Sequence, residues 1–155
     1  MPGVRLGERM AEMTQVKSFR DLRVWKAGMD LVSGIYEVTQ GFPKTEMYGL
    51  TSQMRRAAVS VPSNLAEGHT REHLREYLQH VSIAQASLAE LETQVEIAAR
   101  LEYLSEESLR DIVKNISSVG RQLYALRNAL AARRGASETA VPGTRYPAPD
   151  TREKL

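Results

Sequence analysis

Cysteine is absent from the 155 residues, which removes disulfides and thiolate chemistry and leaves no sign of an oxidising compartment. Aromatic residues are scarce, at 6%, and strands are built preferentially from aromatic and β-branched residues. That scarcity, beside plentiful Ala, Leu, Glu and Arg, predicts helices. No apolar run approaches the roughly 20 residues of a membrane span, and the opening stretch MPGVRLGERMAEM lacks the apolar core of a secretory signal. The expected location is the cytoplasm, with no membrane partner. No glycine-rich phosphate loop, nucleophile elbow or HExxH pattern occurs, so neither catalysis nor a cofactor is expected.

What is present reads as one soluble globular domain: 42% hydrophobic and 26% charged residues in a chain too short for two domains of ordinary size. The net charge of +2 is small but unevenly spread. Residues 1–75 hold 11 basic and 8 acidic groups, residues 76–130 hold 5 and 8, and the last 25 residues hold 5 and 3. An assembled protein would then carry distinct basic and acidic surfaces.

Four helical patterns are predicted between a flexible segment, 1–17, and a disordered tail, 133–155, rich in proline and glycine. The domain between them is 18–132. The first helix covers about 21–39, with Val24, Leu31, Ile35 and Val38 on one flank, and Gly41-Phe42-Pro43 ends it. The second covers about 45–67, with Leu50, Met54, Ala57, Val61 and Leu65 in one seam. Pro62 predicts a bend there, and Gly68 a stop.

The third, about 71–103, keeps a seven-residue rhythm through Leu74, Val81, Leu88 and Val95. The fourth, about 105–132, starts at Ser105 as a cap followed by Glu106 and Glu107. Short connections make neighbouring helices antiparallel, so the expected fold is all-α, an up-down-up-down four-helix bundle. Gln53, Arg56, Ser60, Asn64 and Glu67 form a second, polar face on the second helix. That face reads as either a solvated stripe or a subunit interface.

The segments FRDLRVWKAG, FPKTEMYGLTSQMRRAAVSVPSNLAEGHTR and SLAELETQVEIAARLEYL together resemble the 23S rRNA intervening-sequence protein family of four-helix-bundle proteins, over about 19–130. The resemblance implies a left-handed bundle assembling into a ring-like homopentamer. It also implies kinship with the accessory variability determinant of diversity-generating retroelements, a basic barrel that binds a reverse transcriptase and nucleic acid. One departure is visible: where the family often has Gly-Ser before its Leu-x-Glu-Leu-Glu-Thr block, this chain has Ala86-Ser87.

The basic residues Arg55 and Arg56 cannot focus on one patch alone, because successive helical residues point about 100° apart. Arg20, Arg23 and Lys26 at the start of the first helix, with Arg71 and Arg75 at the start of the third, are their expected helpers in contacting RNA or DNA phosphates. The competing reading pairs these side chains with Glu46, Glu67 and Glu72 or with another subunit. His69, His73, Glu76 and His80 fall at metal-ligand spacing, but a single stripe lacks a ligand from a second helix, so no metal is assigned. Glu90, Glu92 and Glu96 have no histidine placed to cooperate with them and read as a solvated face. Trp25 and Tyr48 could stack on bases, although an aromatic in a helical stripe is usually core. The expected function is a non-enzymatic homo-oligomeric adaptor that binds nucleic acid and assists a partner enzyme. A protein-binding scaffold is the alternative.

Overall fold

The computed structural model of the chain describes residues 17–139, the last three by backbone alone. The expectations for 1–16 and for the tail beyond residue 139 lie outside the described residues. Among those described there are four α-helices and no strand: α1 (Arg23–Thr39), α2 (Leu50–His69), α3 (Leu74–Arg100) and α4 (Glu106–Thr139). Each packs against its neighbours in the chain, and α4 returns to pack on α1.

Local chemistry sets the helix ends. Ser18 and Asp21 form a reciprocal capping box, but it closes a short 3-10 turn, Phe19–Asp21, and α1 begins after the extended Leu22. A second 3-10 turn, Lys44–Glu46, precedes α2, where Glu46 Oε2 accepts from the Leu50 amide at 2.9 Å. Glu46 thereby satisfies one of the orphan donors of a helix start. Ser105 Oγ accepts from the Ser108 amide at 3.1 Å, as an N-cap should. At the end of α3, Glu102 takes a left-handed φ of 60° while the amides of Glu102 and Tyr103 bond back to Ala99 and Ala98. This is the double-bonded helix stop that glycine usually makes.

The core contains the predicted seam residues Leu31, Ile35, Met54, Val61, Leu65, Val81 and Val95, joined by Leu91 of α3 and Val119, Leu123 and Leu130 of α4, all essentially inaccessible. Each such side chain contributes about 1.5–3 kcal/mol by leaving water. Phe42 and Tyr103 close one end of it, with ring centroids 5.3 Å apart. Contacts between helices pair rising positions with falling ones: Arg55 with Thr39 and Pro62 with Gly28 across α1 and α2, then Ser60 with Ser87 and Asn64 with His80 across α2 and α3.

Two local expectations are corrected. α4 extends to Thr139, past the expected end near 132, although the residues from Ala131 to Ala136 are exposed; the extension has no apolar stripe by which periodicity could detect it. Gly68 does not stop α2 by a left-handed turn, since no described glycine has positive φ. It is buried inside the helix, and a Cβ there would lie 2.8 Å from both His80 Cβ and Tyr77 Cδ2. Its role is close approach between α2 and α3. α2 continues past Pro62 as a single helix, and the proline ring packs over Gly28, a Cβ at which would sit 3.5 Å from Pro62 Cβ.

Candidate nucleic-acid interface

The inter-helix contacts fix which basic residues share an end of the molecule. The start of α1 lies beside the end of α2 through Gly28 and Pro62, and the end of α2 meets the start of α3 through Gly68 and Tyr77. The start of α3 lies beside the end of α4, where Arg75, Leu78 and Gln79 line an open groove with Arg127 and Arg134. Arg20, Arg23, Lys26, Arg71 and Arg75 therefore belong to one end, and all five are exposed. Arg20 stands over the Phe19 ring at 4.6 Å. Asp21, Glu72 and Glu76 are also exposed there, yet none lies within 4.0 Å of these cations.

Arg55 and Arg56 do not join them, which corrects the grouping expected from the sequence. Arg55 Nε donates to Thr39 Oγ1 at 2.9 Å, at the far end of α1. Arg23 precedes Thr39 by 16 residues, about 24 Å along the axis. The Arg55 guanidinium also lies 4.5 Å from the centre of the Tyr36 ring, a cation–π contact that holds it in place. Arg55 and Arg56 line a groove of about 510 Å³ with Tyr36, Met47, Ser52 and Val59. The proposed pairing of these arginines with Glu46 or Glu67 is not seen, because Glu46 caps α2 and Glu67 lies 3.5 Å from His80.

The sequence reading missed Arg127, Arg133 and Arg134. Arg127 and Arg134 are seven residues apart and share a face of α4, but ending the helix near 132 concealed that spacing. Arg133 lies near Tyr77, whose phenol is pushed up to about 12 by burial, against the opposing pull of the Arg133 charge.

The polar face of α2 proves partly internal. Gln53, Arg56 and Glu67 are exposed, whereas Ser60 and Asn64 turn towards α3. Ser60 Oγ and Ser87 Oγ are 2.8 Å apart, and Asn64 Nδ2 donates to the Ser60 carbonyl at 2.8 Å. Asn64 Oδ1 then remains to accept from His80 Nδ1 at 3.1 Å, which places the imidazole proton on Nδ1. The Ala86-Ser87 departure leaves a close helix contact intact, because buried Ser87 makes it while Ala86 faces out.

The spaced histidines do not converge either. His69 stacks edge-on against Tyr77 at 5.9 Å, His73 is exposed just before α3, and His80 faces Asn64 and Glu67. Among the described residues no three His, Asp or Glu side chains could hold one metal ion. Trp25 is half-buried against Phe19, with centroids 5.4 Å apart, whereas Tyr48 is 93% exposed in the connection before α2.

Residues 20–125 match the family model of the 23S rRNA-intervening sequence protein. The chain belongs to the 23S rRNA-intervening sequence protein family. A crystal structure of a protein of unknown function from the S23 ribosomal protein family of Bacteroides thetaiotaomicron VPI-5482 has a similar fold. Its TM-score is 0.63 at 17% identity, over 68% of this chain and 95% of that one. No curated protein matches. The family match stops short of the last turns of α4, so Arg127, Arg133 and Arg134 lie outside the matched residues. No described helix is long and apolar enough to cross a membrane.

Proposed function

We propose that this protein is a non-enzymatic, homo-oligomeric adaptor, a pentamer of antiparallel up-down-up-down left-handed bundles, that binds RNA or DNA at its basic end. It presents the nucleic acid there to a partner enzyme. The observation that carries this reading is the gathering of Arg20, Arg23, Arg71, Arg75 and Arg127 at one end with, among the described residues, no carboxylate within 4.0 Å of any of them. Exposed guanidinium groups without acid partners suit phosphate, which each can engage through two parallel N–H donors. Repetition of that end around an oligomer multiplies the contacts. Membership of a family described by an rRNA intervening sequence agrees with a nucleic-acid setting.

The test is a fluorescence-anisotropy titration of structured RNA and duplex DNA at increasing salt. Affinity should fall steeply, with a log–log slope near −0.9 for each phosphate neutralised on duplex DNA. An Arg71→Glu, Arg75→Glu, Arg127→Glu variant should shed about three units of that slope. Absence of binding to any RNA or DNA at low salt refutes the reading. The exposed Tyr48 and Met47 favour the second reading, a protein-binding scaffold, which that outcome would leave standing.

A further inference from the structure

We propose that copies of this chain join head to tail, the face shared by α1 and α2 of one copy receiving the outer stripe of α3 of the next. This rests on the homo-oligomeric reading above and specifies its interface. Glu76, Ile83, Glu90 and Ile97 are spaced by seven along α3 and all four are exposed. They form one stripe alternating acid and aliphatic groups, about 10.5 Å between successive members. Within the described residues the only side-chain hydrogen bond or ion pair among them is Glu90 Oε1 accepting from Gln94 Nε2 at 3.2 Å.

The α1–α2 face carries the complementary pattern. Arg55 is anchored by Thr39 and Tyr36, and its terminal nitrogens have no carboxylate within 4.0 Å among the described residues. Lys26 precedes Thr39 by 13 residues on α1, about 20 Å away along the axis. Between the two cations the face exposes Met29 and Val59, at 43% and 39%. Glu90 and Glu76 are 14 residues apart, about 21 Å. Two acids with an isoleucine between them thus match two cations with Met29 and Val59 between them, at the same spacing.

The heights agree as well as the spacings. The Ser60–Ser87 and Asn64–His80 contacts, extended along the helices by their rise, put Arg55 level with about residue 90 of α3. Through the Gly28–Pro62 contact, Met29 comes level with about residue 84, beside Ile83. Lys26 comes level with about residue 81, about 7 Å along the axis from Glu76, a gap that the two long side chains span together. Such matching needs only a rotation about an axis parallel to the bundle, without a rise, and a heterologous contact of that kind closes into a ring rather than a filament. The two faces adjoin along α2. A ring closed through these two faces turns α2 towards its axis.

The experiment is light-scattering mass measurement of the full chain and of charge variants, with circular dichroism to confirm helix content. Lys26→Glu and Glu90→Arg should each raise the dissociation constant of the assembly at least tenfold. The swapped pairs Lys26→Glu with Glu76→Lys, and Arg55→Glu with Glu90→Arg, should restore most of it. Because the chain has no cysteine, Met29→Cys and Ile83→Cys variants provide a second readout: an equimolar mixture should crosslink between the two variants, and neither alone should. A monomeric wild type overturns both this interface and the oligomeric reading. An oligomer indifferent to the charge variants, or one that crosslinks through Met29→Cys alone, overturns the head-to-tail contact and leaves the oligomer itself in place.

Discussion

Replacing Gly68 by alanine sets helix propensity against close packing, and the geometry decides the sign. In an open helix the change gains up to about 1 kcal/mol, less at a position one residue from the end of α2. Against that, the new methyl would lie 2.8 Å from His80 Cβ and 2.8 Å from Tyr77 Cδ2. Cβ cannot move without the α3 backbone, and His80 is tied to Asn64 at 3.1 Å. Forcing a methylene-sized group into such a contact costs about 1–3 kcal/mol.

The net expectation is a loss of about 1–2 kcal/mol, which for a domain of this size lowers the melting temperature by about 5–10 °C. Gly34 is the control. It lies within α1, and a Cβ there meets nothing within 4 Å, so Gly34→Ala should raise stability by about 0.5–1 kcal/mol. Both variants are to be compared by urea and thermal unfolding at 222 nm, at one protein concentration because association shifts apparent stability. If Gly68→Ala matches or exceeds the wild type, the close-approach argument for this glycine is wrong.

Tyr77 should hold its proton late. With its phenol pushed up to about 12 from 10.0 by burial, its stabilising effect is complete below pH 10 and is lost as the pH rises through about 12. An absorbance titration at 295 nm should show a late step that disappears in Tyr77→Phe; an unchanged titration curve in that variant contradicts it. Glu102 pays for a left-handed backbone that glycine adopts freely. Glu102→Gly should therefore stabilise the fold by about 0.5–1 kcal/mol in urea unfolding, and a loss of stability would show that the side chain matters more than the backbone.

The helices were legible because their apolar residues recur at helical spacing, and burial of that seam is what holds the fold: Leu31, Met54, Val81 and Val95 are buried as predicted. The last turns of α4 were not legible, since Arg133 and its neighbours face solvent and leave no apolar period. Gly68 was misread for a different reason. A glycine near a helix end is ordinarily a stop, and only the facing atoms of Tyr77 and His80 reveal a packing role. Of the basic residues, those at the starts of α1 and α3 were correctly placed together. Arg55 and Arg56 were not, because opposed helix directions carry the start of α2 to the far end of α1.

The hydrogen-bonded series Ser87, Ser60, Asn64 and His80, with Glu67 beside it, has a consequence for how α2 and α3 choose their alignment. A purely aliphatic seam repeating every seven residues can slide by one repeat and bury nearly the same area. Here a slip of that length would strand a hydroxyl, an amide and an imidazole against hydrocarbon at once, each costing about 1–3 kcal/mol. These few polar atoms act as a key that admits one register and rejects its neighbours.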